Sequence, residues 1–486
     1  MKSSKKNITL SSGDPAFSFR NLAKIAFRQG LATIHNYHTS DIHQEFIPTL
    51  IESIDAIIPY LKNRGILPHD NLSAKDLPSS LLLLGSGTTE GFDYVVRLLI
   101  NDVIQENCKK DRHIDPVMVV PVPNYGFFIQ QAERWGLNHV PIRSGPGASG
   151  ITIQQLRDIF NALEKQNKRI VAYYDSNPQN PLGTIRNEEQ TKEISKVLLE
   201  FNAIYRERDL DEYHTTQSNG NHEEWNGPAS QIHIIDDLVY DGLEFNPERH
   251  AFGFAQIEEH RGNVSTLLGL SKIGLAGLRA GLLLSTPTII ENCYRLQTIG
   301  SYFPNIPAIK AIEEYYRFHP RAEKMRKAHL ASLARVHQFR GKFMKSLIDG
   351  FDSIPGLHHA EKIEMTRLVS KESKISTQEA NKNLTEGIPL IKVLTKPQAG
   401  FFHLLDFSAF RGKFFHSNTG KVLGPILSES ELAEILKEYK IDVCYGTWMG
   451  LNSGELIERV SFAVKTNIIV SAVQRLRELT TKIFEI

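Results

Sequence analysis

The chain has 486 residues, 41% of them hydrophobic, with 56 basic side chains against 55 acidic ones. That length supports two or three domains with sizeable cores, and the balanced charge argues against nucleic acid or a membrane surface as partner. Cys108, Cys293 and Cys444 lie far apart, which excludes a disulfide framework and a metal-ligand spacing and fits a reducing, cytoplasmic setting with no metal.

The basic start, Met1 to Asn7, leads into no apolar signal core, and no uncharged apolar stretch is long enough to span a bilayer. In chain order, periodicity predicts a helix over Glu90 to Ile104, a strand at Val117 to Val122 and a helix over Ile153 to Leu163. A strand at Ile170 to Tyr174 and a helix over Glu188 to Phe201 follow, then strands at Ile232 to Ile235, Val264 to Leu270 and Gly281 to Leu284. Short apolar strands alternating with amphipathic helices indicate an α/β layer around a largely parallel sheet. Ligands in such sheets gather at the carboxyl ends of the strands.

After about Pro304 the pattern changes to a long charged helix over Arg321 to Ile348, a polar helix at Ser428 to Lys440 and a terminal helix from Thr466 to Phe484. The expected organisation is a large domain over 46–304 and a smaller α+β domain over 305–486, with 1–45 as an arm packing on the latter. Two segments read as inserts: 206–231, a polar and aromatic surface excursion, and 371–387, whose few apolar anchors predict mobility.

Five motifs carry the chemistry. Gly269-Leu270-Ser271-Lys272 leads through a glycine turn to Arg279-Ala280-Gly281. Burial lowers the pKa of an amine such as Lys272, and the neutral form attacks aldehydes, while Arg279 offers a planar fork for phosphate. Together they suggest pyridoxal 5'-phosphate, an aldehyde that carries a phosphate; a surface turn with a solvated lysine and a salt-bridging arginine is the alternative. Gly85-Ser86-Gly87-Thr88 opens a helix and reads either as an anion cradle or as an ordinary cap. Pro123-Asn124-Tyr125 follows a strand, where Tyr125 stacks on a flat ring or simply packs in a loop.

Asn177-Pro178-Gln179-Asn180-Pro181-Leu182-Gly183 also follows a strand; it presents amide side chains or is only a rigid turn. Asp236-Asp237-Leu238-Val239-Tyr240 closes another. A carboxylate there keeps a pyridine nitrogen protonated, or else Asp237 caps a helix; a one-residue register shift would exchange Asp236 and Asp237.

In this order the motifs resemble the fold-type I, class I/II aminotransferases from about Leu10 to the C-terminus. Leu10-Ser11-Ser12-Gly13-Asp14 resembles their substrate-touching glycine loop, and Pro397-Gln398-Ala399-Gly400-Phe401-Phe402 the small-domain strand. Tyr37, ahead of Tyr60-Leu61-Lys62-Asn63-Arg64-Gly65, is similar to the tyrosine lent to the partner subunit's phosphate, which implies a homodimer. Glu458-Arg459-Val460-Ser461-Phe462-Ala463 resembles the carboxylate-binding arginine motif. The resemblance implies a Schiff base at Lys272, Asp237 on the pyridinium, and Tyr240 and Asn180 on the ring oxygen. It implies Tyr125 on the ring face, Gly87, Thr88, Ser271, Arg279 and Tyr37 on the phosphate, and Gly13, Asn180 and Arg459 on substrate. A departure is Gly269, where many relatives carry a phosphate-binding serine.

The activity so implied is ping-pong transamination between an α-amino acid and a 2-oxo acid, in amino acid metabolism and biosynthesis. The same site also serves a lyase or decarboxylase, because sequence does not fix which substrate bond stands perpendicular to the ring. A third alternative is a silent or regulatory relative. Retention of Lys272 and Asp237, and a match that begins too early for a preceding DNA-binding segment, argue against it.

Overall fold

The structure, a computed structural model, describes residues 7–31, 47–67, 80–110, 115–144, 150–218, 231–301 and 304–485. A short strand β1 (Ile8–Thr9) precedes helices α1 (Arg20–Leu31) and α2 (Ile47–Asn63). The central sheet is built from β2 (Leu81–Leu84), β3 (Asp115–Val122), β4 (Asn138–Arg143), β5 (Lys168–Ser176), β6 (His233–Asp237), β7 (Val264–Gly269) and β8 (Gly281–Leu284). Between and after them lie α3 (Thr88–Lys110), α4 (Gly126–Arg134), α5 (Ile153–Lys165), α6 (Glu188–Ser218), α7 (Pro287–Ile299) and α8 (Ile306–Tyr316).

The strand order is β2-β8-β7-β6-β5-β3-β4. Neighbours from β4 to β7 run parallel, while β8 is antiparallel to both β7 and β2. The strands are nearly continuous apolar runs because helices cover both faces. Along β3 the side chains alternate: Val117 and Val119 meet Leu156, Phe160 and Val197, whereas Met118 and Val120 meet Phe92, Phe128 and Ile129. Helix α5 starts where the Thr152 hydroxyl accepts from Gln155 N at 3.2 Å, and its buried Leu156, Phe160 and Leu163 follow helical spacing.

A second core gathers α9 (Pro320–Asp349), α10 (His359–Ser373), α11 (Thr377–Glu386), α12 (Glu429–Glu438) and α13 (Thr466–Thr480). They pack around β9 (Lys392–Val393), β10 (Phe402–Asp406), β11 (Phe414–His416), β12 (Val422–Leu423), β13 (Ile441–Asp442), β14 (Ile457–Ser461) and β15 (Ile483–Phe484). Strand β10 pairs antiparallel with β14 and β9, and β1 pairs parallel with β13, so Ile8 and Leu10 enter this core.

Several expectations need correction. Helices α1 and α8 do not join the second core: Phe19, Leu22, Ile309 and Ile312 pack with Leu268, Leu282 and Leu284 of the central sheet. The division expected after residue 304, with all of 1–45 on the smaller side, therefore misplaces both helices. The expected excursion at 206–231 begins as a continuation of α6, which runs to Ser218. Tyr205 is buried and Arg169 pairs with buried Asp209 at 3.0 Å, anchoring the extra turns; residues 219–230 lie outside the described part.

Segment 371–387, expected to be mobile, is instead helical. Ser376 accepts from Glu379 N at 3.1 Å to start α11, and Ala380 and Leu384, four residues apart, are fully buried. Two well-spaced anchors suffice. The terminal helix stops at Thr480, and Ile483–Phe484 pairs with β11.

Candidate active site

The carboxyl ends of β3, β5, β6 and β7, where loop backbone groups and side chains leave the sheet, meet β14 around a cavity of about 240 Å³. Its walls include Gly13, Thr88, Tyr125, Asn180, Asp237 and Tyr240, with Ser271, Lys272, Arg279 and Arg459 completing the polar set. Of the residues expected from sequence, Gly87 adjoins this wall and Tyr37 lies outside the described residues.

Lys272 sits in a wide turn, Ser271–Leu275, directly after β7. Its Nζ donates to Gly13 O at 3.1 Å and lies 5.6 Å from the Tyr240 ring centre. Burial in the cavity, aided by the nearby Arg459 and Arg279 charges and opposed by Asp14 and Asp237, lowers its pKa to about 8. A solvated surface lysine is thereby ruled out.

Alternation along β6 separates the two aspartates. Asp236 points to the far face, where it accepts from Arg186 Nη2 at 3.1 Å and Phe254 N at 2.7 Å. Asp237 faces the cavity, 2% exposed. It accepts from Val239 N at 3.1 Å and from the Tyr174 hydroxyl at 3.4 Å, and it has no ion-pair partner among the described residues. Burial raises its pKa to about 7, against the pull of Val239 N–H and Lys272. A turn rather than a helix follows, so helix capping is not its role.

Asn180 joins two other groups. Its amide Nδ2 donates to the Tyr240 hydroxyl at 3.1 Å, and its Oδ1 accepts from Arg459 Nη1 at 3.1 Å. Arg459 also donates to Ser11 O at 3.1 Å and lies 4.2 Å over the Phe402 ring. Its Nε is buried without a hydrogen-bond partner, and among the described residues it pairs with no carboxylate.

At the other end, Arg279 takes a left-handed backbone (φ 52°). Its carbonyl accepts from Gly87 N at 2.9 Å and its Nη2 donates to Ser86 O at 2.8 Å, which brings the guanidinium to the N-terminus of α3. Where relatives carry serine, the Cβ of a side chain at Gly269 would stand 3.2 Å from Thr88 Cγ2 and Val239 Cγ2. Thr88 and Val239 would each have to give by a few tenths of an ångström to admit a side chain there.

Three contributors were not anticipated. Tyr174 supports Asp237 from inside β5, and Asp14 and Phe127 line the cavity. Asp14 and Phe127 each adjoin a recognised motif, which was the available signal; Tyr174 looked like any core residue of an apolar strand.

The cavity thus holds an amine of lowered pKa, a buried carboxylate with no ion-pair partner among the described residues, and two arginines about its ends. A family model for aminotransferase class I and II matches residues 5–205. An aspartate aminotransferase of Bacillus sp. (strain YM-2) is 24% identical over 363 residues, 74% of this chain and 69% of the relative. An aspartate aminotransferase structure from Rhizobium meliloti superposes with TM-score 0.64 at 15% identity, covering 99% of this chain and 92% of that one. An aromatic aminotransferase from Pyrococcus horikoshii OT3 gives 0.60 at 17% identity, covering 98% and 96%. Over residues 5–205 the chain is similar to the class I and II aminotransferases, and its fold is that of the solved aminotransferases, the fold-type I architecture.

Proposed function

We propose that this protein is a transaminase that works with pyridoxal 5'-phosphate in the cavity described, taking an amino group from an α-amino acid and delivering it to a 2-oxo acid in alternating half-reactions. The observation that carries the reading is the placing of Lys272 and Asp237 in one cavity: an amine whose pKa is lowered to about 8 and a buried carboxylate with no ion-pair partner among the described residues. The residues fit the cofactor. Asp237 offers its charge to a protonated ring nitrogen, Tyr125 a flat face, and Tyr240 with Asn180 hydrogen bonds to the ring oxygen. Gly87, Thr88, Ser271 and Arg279 offer donors to the phosphate.

When bound, the cofactor supplies an aldehyde for Schiff-base exchange and a ring that withdraws electrons. Lys272 would hold the aldehyde end, and its free amine would take the proton from the donor's α-carbon and return it. Arg459 holds the donor's α-carboxylate through a charge-assisted fork, and Gly13 and Asn180 flank the donor. Asp237, kept ionised by the ring nitrogen, maintains the ring's electron demand.

We further propose a homodimer in which Tyr37 reaches the partner subunit's phosphate, a reading supported by the segment's resemblance. The body holding the central sheet, with α1 and α8, would be separate from the body around α9 to α13, as their distinct cores suggest. Sparse cysteines support a cytoplasmic setting, and the resemblance to aminotransferases supports a role in amino acid biosynthesis.

Borohydride reduction of the cofactor-loaded protein, followed by peptide mapping, is expected to leave a pyridoxyl adduct on Lys272. Lys272→Ala is expected to lose amino transfer by about a thousandfold. An adduct elsewhere, or turnover of donors at the parent's rate, overturns the assignment.

A further inference from the structure

In the arrangement above, both anchors of an amino donor are fixed, its carboxylate on Arg459 and its amine at Lys272. The rest of the wall mixes an apolar set, Phe127, Phe128, Val239 and Ala276, with the hydroxyls of Ser11 and Thr89 and the carboxylate of Asp14. Phe127 is 50% exposed although it is a large apolar ring, and Trp448, 44% exposed, meets it edge-on at 5.3 Å. Tyr125 also meets Phe127, at 5.5 Å, so the Phe127 ring is in contact with two other aromatic rings.

These rings are firmly mounted. A Cβ built on Gly126 would fall 1.4 Å from Trp448 O, so only glycine allows the backbone of α4 to approach the 446–450 turn. Asn124 N donates to Met449 O at 3.0 Å across the same contact. Behind the turn, Gly446 N donates to buried Glu458 at 2.9 Å, one residue before Arg459. The half-exposed rings are thus held at a fixed place beside the carboxylate anchor, which is the condition for selecting a side chain by shape.

Asp14 adds a charge argument. It is exposed and has no ion-pair partner among the described residues; its hydrogen bond is to Ser12 Oγ at 3.1 Å. A donor with a second carboxylate would meet apolar rings and a like charge on this wall.

We propose that this wall selects amino donors with a large apolar or aromatic side chain over dicarboxylic donors, with Phe127 as the specificity-determining contact. Trp448 holds the Phe127 ring and Asp14 disfavours a second carboxylate. The inference rests on the aminotransferase reading of the site, and it sets this chain apart from relatives named for aspartate.

The test uses cofactor-loaded protein and two carboxylates without an amino group, 3-phenylpropanoate and succinate, titrated by calorimetry. The parent is expected to bind 3-phenylpropanoate at least about tenfold more tightly than succinate. Phe127→Ala is expected to reduce that preference by roughly tenfold and Trp448→Ala by about threefold. Asp14→Asn is expected to tighten succinate by about threefold, the small effect of an exposed charge. Equal or tighter binding of succinate by the parent overturns the proposal, as does a preference unchanged in both ring variants. Failure of amino transfer from every donor would instead overturn the aminotransferase reading, and the affinity ratio decides the specificity wall independently of it.

Discussion

Replacing Asp237 with asparagine should make the cofactor-free protein more stable above neutral pH. The carboxyl is 2% exposed, and burial raises its pKa from 3.8 to about 7. Between those values the folded chain keeps a proton that the unfolded chain has released, so stability falls as pH rises from about 4 to 7 and then levels off. At about 1.4 kcal/mol per pKa unit, the ionised group costs on the order of 4 kcal/mol above pH 7. The asparagine amide keeps an acceptor for Val239 N and Tyr174 but brings N–H groups into the same place, at a cost of about 1–3 kcal/mol. The net gain for Asp237→Asn is then about 1–3 kcal/mol at pH 8, vanishing or reversing near pH 4. Urea unfolding of both proteins without cofactor, across pH 4 to 8, measures the difference directly. Buried carboxylates that do not act on Asp237, such as Glu458, are common to both chains and cancel. A stability difference that does not change with pH would refute the argument.

Arg186 is held between Asp175 and Asp236, all three buried, so Arg186→Met leaves two carboxylates without their counter-charge. The expected loss is about 3–5 kcal/mol at pH 8, smaller at pH 5 where Asp236, with a pKa near 6, takes up a proton; denaturant unfolding at the two pH values checks it. In the cofactor-free protein, amine modification of Lys272 should rise with a midpoint near pH 8. Because the Arg459 charge lowers that pKa, Arg459→Gln is expected to move the midpoint upward, and a downward shift read by mass spectrometry of the modified peptide would contradict the geometry.

Much of the sheet was legible because parallel strands buried on both faces appear as apolar runs between helical periodicities, as at Val117 to Val122 and Val264 to Gly269. The site motifs were legible because each follows a strand directly, where loops carry the chemistry. Choosing between Asp236 and Asp237 was not possible from residue type; it needed the facing of β6, which is fixed by Arg186 and Phe254 on the far side. Helices α1 and α8 were misplaced because an amphipathic face does not name the surface it covers. The mobility expected of 371–387 failed because composition weighs charges, whereas burial of Ala380 and Leu384 depends only on spacing. Trp448 stayed hidden because its partner, Phe127, is more than 300 residues away in sequence.

One amide deserves a last consideration. Asn180 bonds Arg459 through its oxygen and Tyr240 through its nitrogen, so a single rigid plane spans the two halves of the cavity. A carboxylate drawing Arg459 toward itself would tug on that plane and loosen or tighten the tyrosine's hydrogen bond. By thermodynamic reciprocity, whatever engages the Tyr240 hydroxyl must alter affinity for carboxylates by the same factor.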